Sequence, residues 1–354
     1  MKKRLVGLLA TGAMVFSMGI TALAAPGINE GTEQEPAKAE ITKVFEMSEG
    51  LEVPGVTFDF EVTKLTGDGP NASITGVEYL AGAEKGEINE GSYKVVRKTE
   101  LKFEDEFPNA GVYEYQVKEN KGNADGVTYD INTYKVKVYV ENTDDQTRTF
   151  VKHIVSEDNE AKKPIKFVNT YRKDANLVIE KKIEGKMANL NNKFDFTIEL
   201  TAAKTTTETQ IAGTIVKSDG HREEVMFNYG EAKEFKLGKD DRLEFEKIPA
   251  GTRYVVKEKG VEGDGYTPKV SVIENGVQNE IINGDEKSDV SSVKNPGTTN
   301  LVGENENRVT YTNVHMSSPV TGILLNSIPF VIMMVLSMIG IGAFFLGKKH
   351  RLNK

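Results

Sequence analysis

The chain has 354 residues, a formal net charge of −8, and neither cysteine nor tryptophan. That length suggests two or three domains, and the acidic balance argues against a nucleic-acid partner and for a hydrated ectodomain. Without cysteine there are no disulfide staples, thiolate nucleophiles or thiolate metal sites.

Residues 1–24 open with Lys2, Lys3 and Arg4, continue through an apolar run from Leu5 to Ile20, and close on Ala22-Leu23-Ala24. This is the pattern of a secretory signal peptide. Residues 25–39 are rich in Glu, Pro and Gly and read as a flexible leader. From residue 40 the apolar side chains alternate, as in Phe58, Phe60 and Val62, or Tyr134, Val136, Val138 and Val140. Period-two alternation predicts half-buried strands. Turn signals recur between them, among them Asp125-Gly126, Ser218-Asp219-Gly220 and Asn275-Gly276. Many short strands with such turns predict an all-β chain of tandem β-sandwiches, over residues 40–171 and 172–316. The closing segment, 317–354, contains an apolar stretch at 323–347 followed by Lys348-Lys349-His350-Arg351. That stretch is long enough to span a bilayer and has a basic stop behind it.

One spaced pattern occurs twice. The first copy runs Ile41-x-Lys43-x-Phe45, Phe58-Asp59-Phe60, Ala110-Gly111…Tyr115-x-Val117-Lys118-Glu119 and Phe167-x-Asn169. The second runs Leu177-x-Ile179-x-Lys181-x-Ile183-x-Gly185, Phe194-Asp195-Phe196, Ala250-Gly251…Tyr254-x-Val256-Lys257-Glu258 and Tyr311-x-Asn313. Lys43 and Glu119 are 76 residues apart, and Lys181 and Glu258 are 77. Taken singly, Lys, Glu and Asn are mostly exposed residue types. Two copies with matched order and spacing, in phase with apolar alternation, instead place all three in a core.

Such a set can react with itself. A buried Lys is desolvated, so its neutral, nucleophilic amine becomes populated. A Glu in an apolar wall keeps its proton to higher pH. It can hydrogen-bond the Asn carboxamide oxygen and pass a proton to the leaving ammonia. The product is a Lys–Asn amide between first and last strands, with folding supplying the proximity.

These residues carry a resemblance. The repeated Lys–Glu–Asn pattern, Gly126-Val127-Thr128-Tyr129-Asp130 and Lys162-Lys163-Pro164 are similar to the Gram-positive major (backbone) pilins, in particular the streptococcal type. The resemblance runs from about residue 38 through the tail. It implies two tandem Ig-like (CnaB-like) β-sandwich domains, each with a self-formed Lys–Asn isopeptide bond promoted by a Glu. By position these are Lys43–Asn169 with Glu119, and Lys181–Asn313 with Glu258. It also implies that Lys162, with Lys163 as the adjacent alternative, supplies the amine that links one subunit to the next.

Just before the apolar tail stands Ser318-Pro319-Val320-Thr321-Gly322. An xPxTG motif, an apolar stretch and a basic end together make a cell-wall sorting signal. A sortase transpeptidase attacks the Thr321–Gly322 bond and hands the Thr321 acyl group to an amine. Ser318 stands where Leu is usual, which leaves the sortase class open. A plain membrane-spanning helix is the other reading of the tail. The partners expected are the sortase, identical subunits, minor pilins and peptidoglycan, at the Gram-positive cell surface. The expected role is a shaft subunit that is not a turnover enzyme. The rival is a singly wall-anchored adhesin or minor pilin. His153, His221, His315 and His350 are scattered without metal-ligand spacing. No cofactor or metal is expected, and Lys239-Asp240-Asp241 reads as a solvated turn.

Overall fold

The computed structural model describes residues 27–66, 68–260 and 265–315. The signal-peptide segment, the 317–354 sorting segment and Ser318 to Gly322 lie outside them. The fold is all-β, and the chain divides into two compact units at Arg172/Lys173. This is one residue beyond the boundary expected from sequence.

The first unit contains two facing sheets. One is ordered Ile28–Glu30, Thr149–Asp158, Thr133–Asn142, Gly111–Glu119 and Phe60–Thr66, with Ala161–Lys162 also paired to Thr149–Asp158. The other is ordered Ala72–Ile74, Ser92–Phe103, Ala39–Ser48, Ile165–Tyr171 and Val127–Thr128. Tyr113, Tyr115, Val117, Val136, Val138, Ile41 and Phe167 meet in the core between them.

The second unit repeats the plan. Its larger sheet includes Arg242–Pro249, Asp174–Glu184, Arg308–His315 and Tyr266–Glu274 as neighbours. Its smaller sheet is ordered Ala232–Gly238, Lys193–Thr201, Arg253–Glu258 and Val290–Ser291.

Alternation decides which side chains face inward. On Asp174–Glu184 the buried residues are Ala175, Leu177, Ile179, Lys181 and Ile183. Lys181 thus enters the core because it is in phase with its apolar neighbours. The same phase buries Glu119 after Tyr113, Tyr115 and Val117, and Asn313 after Val309 and Tyr311.

In each unit a strand near the start lies parallel to the last one. Ala39–Ser48 pairs with Ile165–Tyr171, setting Lys43 opposite Phe167 and Phe45 opposite Asn169. Asp174–Glu184 pairs with Arg308–His315, setting Lys181 opposite Tyr311 and Ile183 opposite Asn313. The register is the same in both units. Parallel neighbours cannot be joined by a tight turn, so the rest of each unit forms the connection.

The leader is a correction to the sequence reading. Ile28–Glu30 forms a strand on Thr149–Asp158, and Ala37 is buried with its N–H donating to Val151 O at 2.9 Å. A sheet edge offers unpaired backbone groups, and these satisfy a segment whose side chains have little to bury.

Gly185 ends the Lys181 strand at φ +111°, where an added Cβ would lie 2.2 Å from His315 O. Only glycine permits both that dihedral and that approach. Gly220, at φ +91°, has open space around the same position. Gly220→Ala should therefore cost only the dihedral penalty, about 1–2 kcal/mol, and Gly185→Ala distinctly more. Thermal melts of the two variants check this, and equal midpoints would contradict the close-approach argument.

Candidate functional site: two buried Lys–Glu–Asn clusters

Each unit brings its three expected residues together across the sandwich. Lys and Asn come from adjacent parallel strands of one sheet, offset by two residues, so both point to the same face. The Glu comes from the opposite sheet, on Gly111–Glu119 or Arg253–Glu258.

In the first unit Lys43 and Asn169 are fully buried and Glu119 nearly so. Lys43 Nζ stands 2.7 Å from Glu119 Oε2. Asn169 Nδ2 donates to Glu119 Oε1 at 2.5 Å. In the second unit Lys181 Nζ donates to Glu258 Oε1 and Oε2 at 2.8 and 3.0 Å. Asn313 Nδ2 donates to Glu258 Oε1 at 2.6 Å.

The carboxamide therefore turns its nitrogen to the Glu, where the sequence reading had the Glu donating to the carboxamide oxygen. A carboxyl oxygen accepts from the amide N–H in either protonation state. This orientation leaves each carboxylate touching both the amine that must lose a proton and the nitrogen that must gain one.

Burial sets the protonation states. It lowers the pKa of Lys43, against the pull of Glu119, and pushes Lys181 down to about 8. It raises both Glu119 and Glu258, against the hydrogen bonds from Lys and Asn. Removing an ammonium and a carboxylate from water together costs several kcal/mol per ion, offset only in part by their attraction. Transfer of the proton from Lys to Glu leaves two neutral groups, and desolvation favours that.

The Phe-Asp-Phe segments line these clusters. The Phe58 ring lies 4.4 Å from Lys43 Nζ, and the Phe194 ring 4.3 Å from Lys181 Nζ. The second phenylalanine of each sits opposite the Glu, Phe60 with Glu119 and Phe196 with Glu258. Their rings pack on Phe167 at 5.3 Å and Tyr311 at 5.1 Å, the two residues facing the lysines. The repeated motif is thus the apolar wall of each cluster.

Two residues acquire roles that the sequence reading did not give them. Asp130 donates its backbone N–H to Asn169 Oδ1 at 2.9 Å, while its own Oδ2 accepts from Val168 N–H at 2.6 Å. Its presence in the Gly126–Asp130 motif was the available signal. Asp241, read as part of a solvated turn, is buried, and its carboxylate accepts from Ser218 and Gly238 N–H, both at 2.9 Å. The same turn grips the Lys181 strand, because Asp241 O accepts from Lys181 N–H at 3.0 Å and Asp240 N–H donates to Lys181 O at 2.8 Å.

The two adjacent lysines lie apart from the buried clusters. Lys162 is exposed on Ala161–Lys162, opposite Glu157. The Lys163 ammonium pairs with Asp158 at 2.8 Å, a hydrogen bond that raises its pKa.

Comparison with known proteins places this geometry in context. Residues 32–172 match the family described as the Spy0128-like isopeptide containing domain. Residues 175–313 match a domain family of unknown function, DUF7601. Along nearly its whole length the chain is similar to a pilin of Streptococcus pyogenes serotype M1, with 25% identity over 360 aligned positions covering 97% of this chain and 98% of that one. Among solved structures it is similar to the major pilin of S. pyogenes, at 22% identity and TM-score 0.38, covering 79% of this chain and 99% of that one. It is also similar to the T3.2 major pilin of the same species, at 24% identity and TM-score 0.35, covering 82% and 100%. The resemblance to streptococcal major pilins read from the residue pattern is borne out.

Proposed function

We propose that this chain is a structural subunit of a sortase-assembled covalent pilus, locked internally by one Lys–Asn amide in each unit. The observation that carries the reading is the pair of buried Lys–Glu–Asn clusters in identical register. The similarity to S. pyogenes pilin over 97% of the chain supports the pilus role, and the domain match at 32–172 supports the amide chemistry.

The reaction follows from the contacts. The Glu carboxylate takes a proton from the Lys ammonium, and the neutral Nζ attacks Asn Cγ. A C–N bond forms, and the carbonyl electron pair moves to Oδ1. The Glu carboxyl then protonates Nδ2 and takes the second proton from Nζ. The carbonyl re-forms as the Cγ–Nδ2 bond breaks, and ammonia leaves, carrying that last proton away from the Glu as ammonium. Glu119 and Glu258 end unchanged, but each acts only once, so no external substrate is turned over.

Each amide joins neighbouring parallel strands at the two ends of a unit. It closes a loop of more than 100 residues, which in the chain-entropy treatment of cross-links stabilises by about 4–5 kcal/mol. It also takes tension off the hydrogen bonds between the strands. In a chain without cysteine this is the available covalent staple.

Polymerisation uses Thr321 of one subunit and a lysine of the next. Lys162 fits the acceptor role better than Lys163, because its amine is exposed while the Lys163 ammonium is held by Asp158. Export by residues 1–24, retention by 323–347 and final attachment to peptidoglycan complete the reading.

Three outcomes are expected. Intact mass spectrometry of the folded ectodomain should show the sequence mass less two ammonia molecules, with one restored by Lys181→Ala. An unreduced mass would sink the amide chemistry. In chain refolded from an unreacted state, ammonia loss from the second unit should have a bell-shaped pH dependence. It falls in acid, where Lys181 and Glu258 both hold protons, and falls above about pH 8, where the lowered Lys181 gives up the proton the pair shares. A rate still climbing well above that pH would mean that the carboxyl proton is not required. Immunoblots of detergent-boiled wall extracts should show a ladder of evenly spaced high-mass species that collapses with Lys162→Ala. A single wall-linked band would move the role to a singly anchored adhesin or minor pilin.

A further inference from the structure

The two clusters differ at the carboxamide oxygen, and that difference bears on the step in which negative charge develops there. In the first unit Asn169 Oδ1 accepts the backbone N–H of Asp130 at 2.9 Å. Continuing the register of Val127–Thr128 on Ile165–Tyr171 sets Asp130 beside Val168. Its side chain is used on the local backbone. Oδ2 accepts from Val168 N–H at 2.6 Å and Oδ1 from Asn132 N–H at 2.8 Å. The half-buried carboxylate thus ties its own turn to the strand that carries Asn169. In the second unit Lys269 stands at the register of Asp130, beside Thr312, and Pro268, opposite Asn313, has no N–H. Asn313 Oδ1 is buried and has no partner among the described residues.

We infer that Asp130 is a positioning residue for amide formation in the first unit, its carboxylate holding its own backbone N–H where Asn169 Oδ1 becomes an oxyanion. The inference rests on the reading that each cluster forms a Lys–Asn amide. A fixed donor aimed at a developing negative charge stabilises the transition state more than the ground state, and loss of one such donor typically slows a reaction about 10²–10³-fold. Asp130 also differs from Glu119 in the kind of help it gives. Glu119 moves protons between Lys43 and Asn169 Nδ2, whereas Asp130 polarises the carbonyl from the other side without exchanging a proton. The second unit relies on Glu258 alone. The two amides of one chain therefore form at different rates, the first unit leading.

The test uses full chain recovered unreacted from inclusion bodies, refolded, quenched at intervals and digested. The cross-linked peptides containing Lys43 and Lys181 are then quantified separately, with near-ultraviolet circular dichroism of the tyrosines following refolding. In the unaltered chain the first amide should form about tenfold or more faster than the second. Asp130→Ala should slow the first amide by about tenfold or more and leave the second at its original rate, with the refolded spectrum recovered. Asp130→Asn, which keeps one acceptor oxygen, should restore part of the rate. An unchanged first-unit rate in refolded Asp130→Ala would overturn the inference. So would an Asp130→Asn rate no better than that of Asp130→Ala, since charge and not N–H placement would then be at work. Should Asp130→Ala fail to refold, the unaltered chain decides, because equal rates in its two units would also overturn it. Absence of both cross-linked peptides from the unaltered chain would instead remove the underlying amide reading.

Discussion

Everything in this fold is organised around one costly arrangement: a lysine and an asparagine on adjacent parallel strands, buried against a glutamate from the facing sheet. No apolar core tolerates an ammonium and a carboxylate without compensation. Here the compensation is mutual contact, with Lys43 and Lys181 at 2.7–3.0 Å from their glutamates, within walls of Phe58, Phe60, Phe194 and Phe196. The residual strain is chemical. Burial lowers the lysines and raises the glutamates, so the neutral, reactive forms are favoured by the same apolar packing that stabilises the fold. Amide formation would relieve the penalty permanently.

The parallel register explains why the reaction partners are so far apart in sequence. Lys43 and Asn169 can meet only after the sheets of the first unit have assembled, because their strands are neighbours through a crossover made of the whole unit. The amide proposed here would therefore follow folding and record it. It would join a strand near the start of the unit to its last strand, where a pulling force is otherwise borne by ladder hydrogen bonds alone.

The two units solve the same problem with different peripheries. The first braces its carboxamide from both sides, through Glu119 and the Asp130 turn. In the second, Asn313 Oδ1 meets no donor among the described residues, and the Asp240–Asp241 turn grips the lysine strand. Repetition of the central residues with divergence of the surrounding loops is what a reaction set by three groups and a common register allows. Loops change cheaply when the strands hold the geometry.

Sequence alone determined the all-β class, the repeat, and which Lys, Glu and Asn face inward, because period-two alternation fixes a side chain's face without knowledge of its partners. Lys181 between Ile179 and Ile183 is legible in this way. Tertiary structure decided what depends on backbone groups meeting across the chain. The ordering of Ile28–Glu30 needed an open sheet edge. The need for glycine at 185 came from the approach of His315 O. The direction of the carboxamides came from the glutamate oxygen that each nitrogen meets, and the contact of Asp130 with Asn169 from where its N–H points. Those contacts join residues distant in sequence through atoms that every residue possesses, so no pattern of side-chain types announces them.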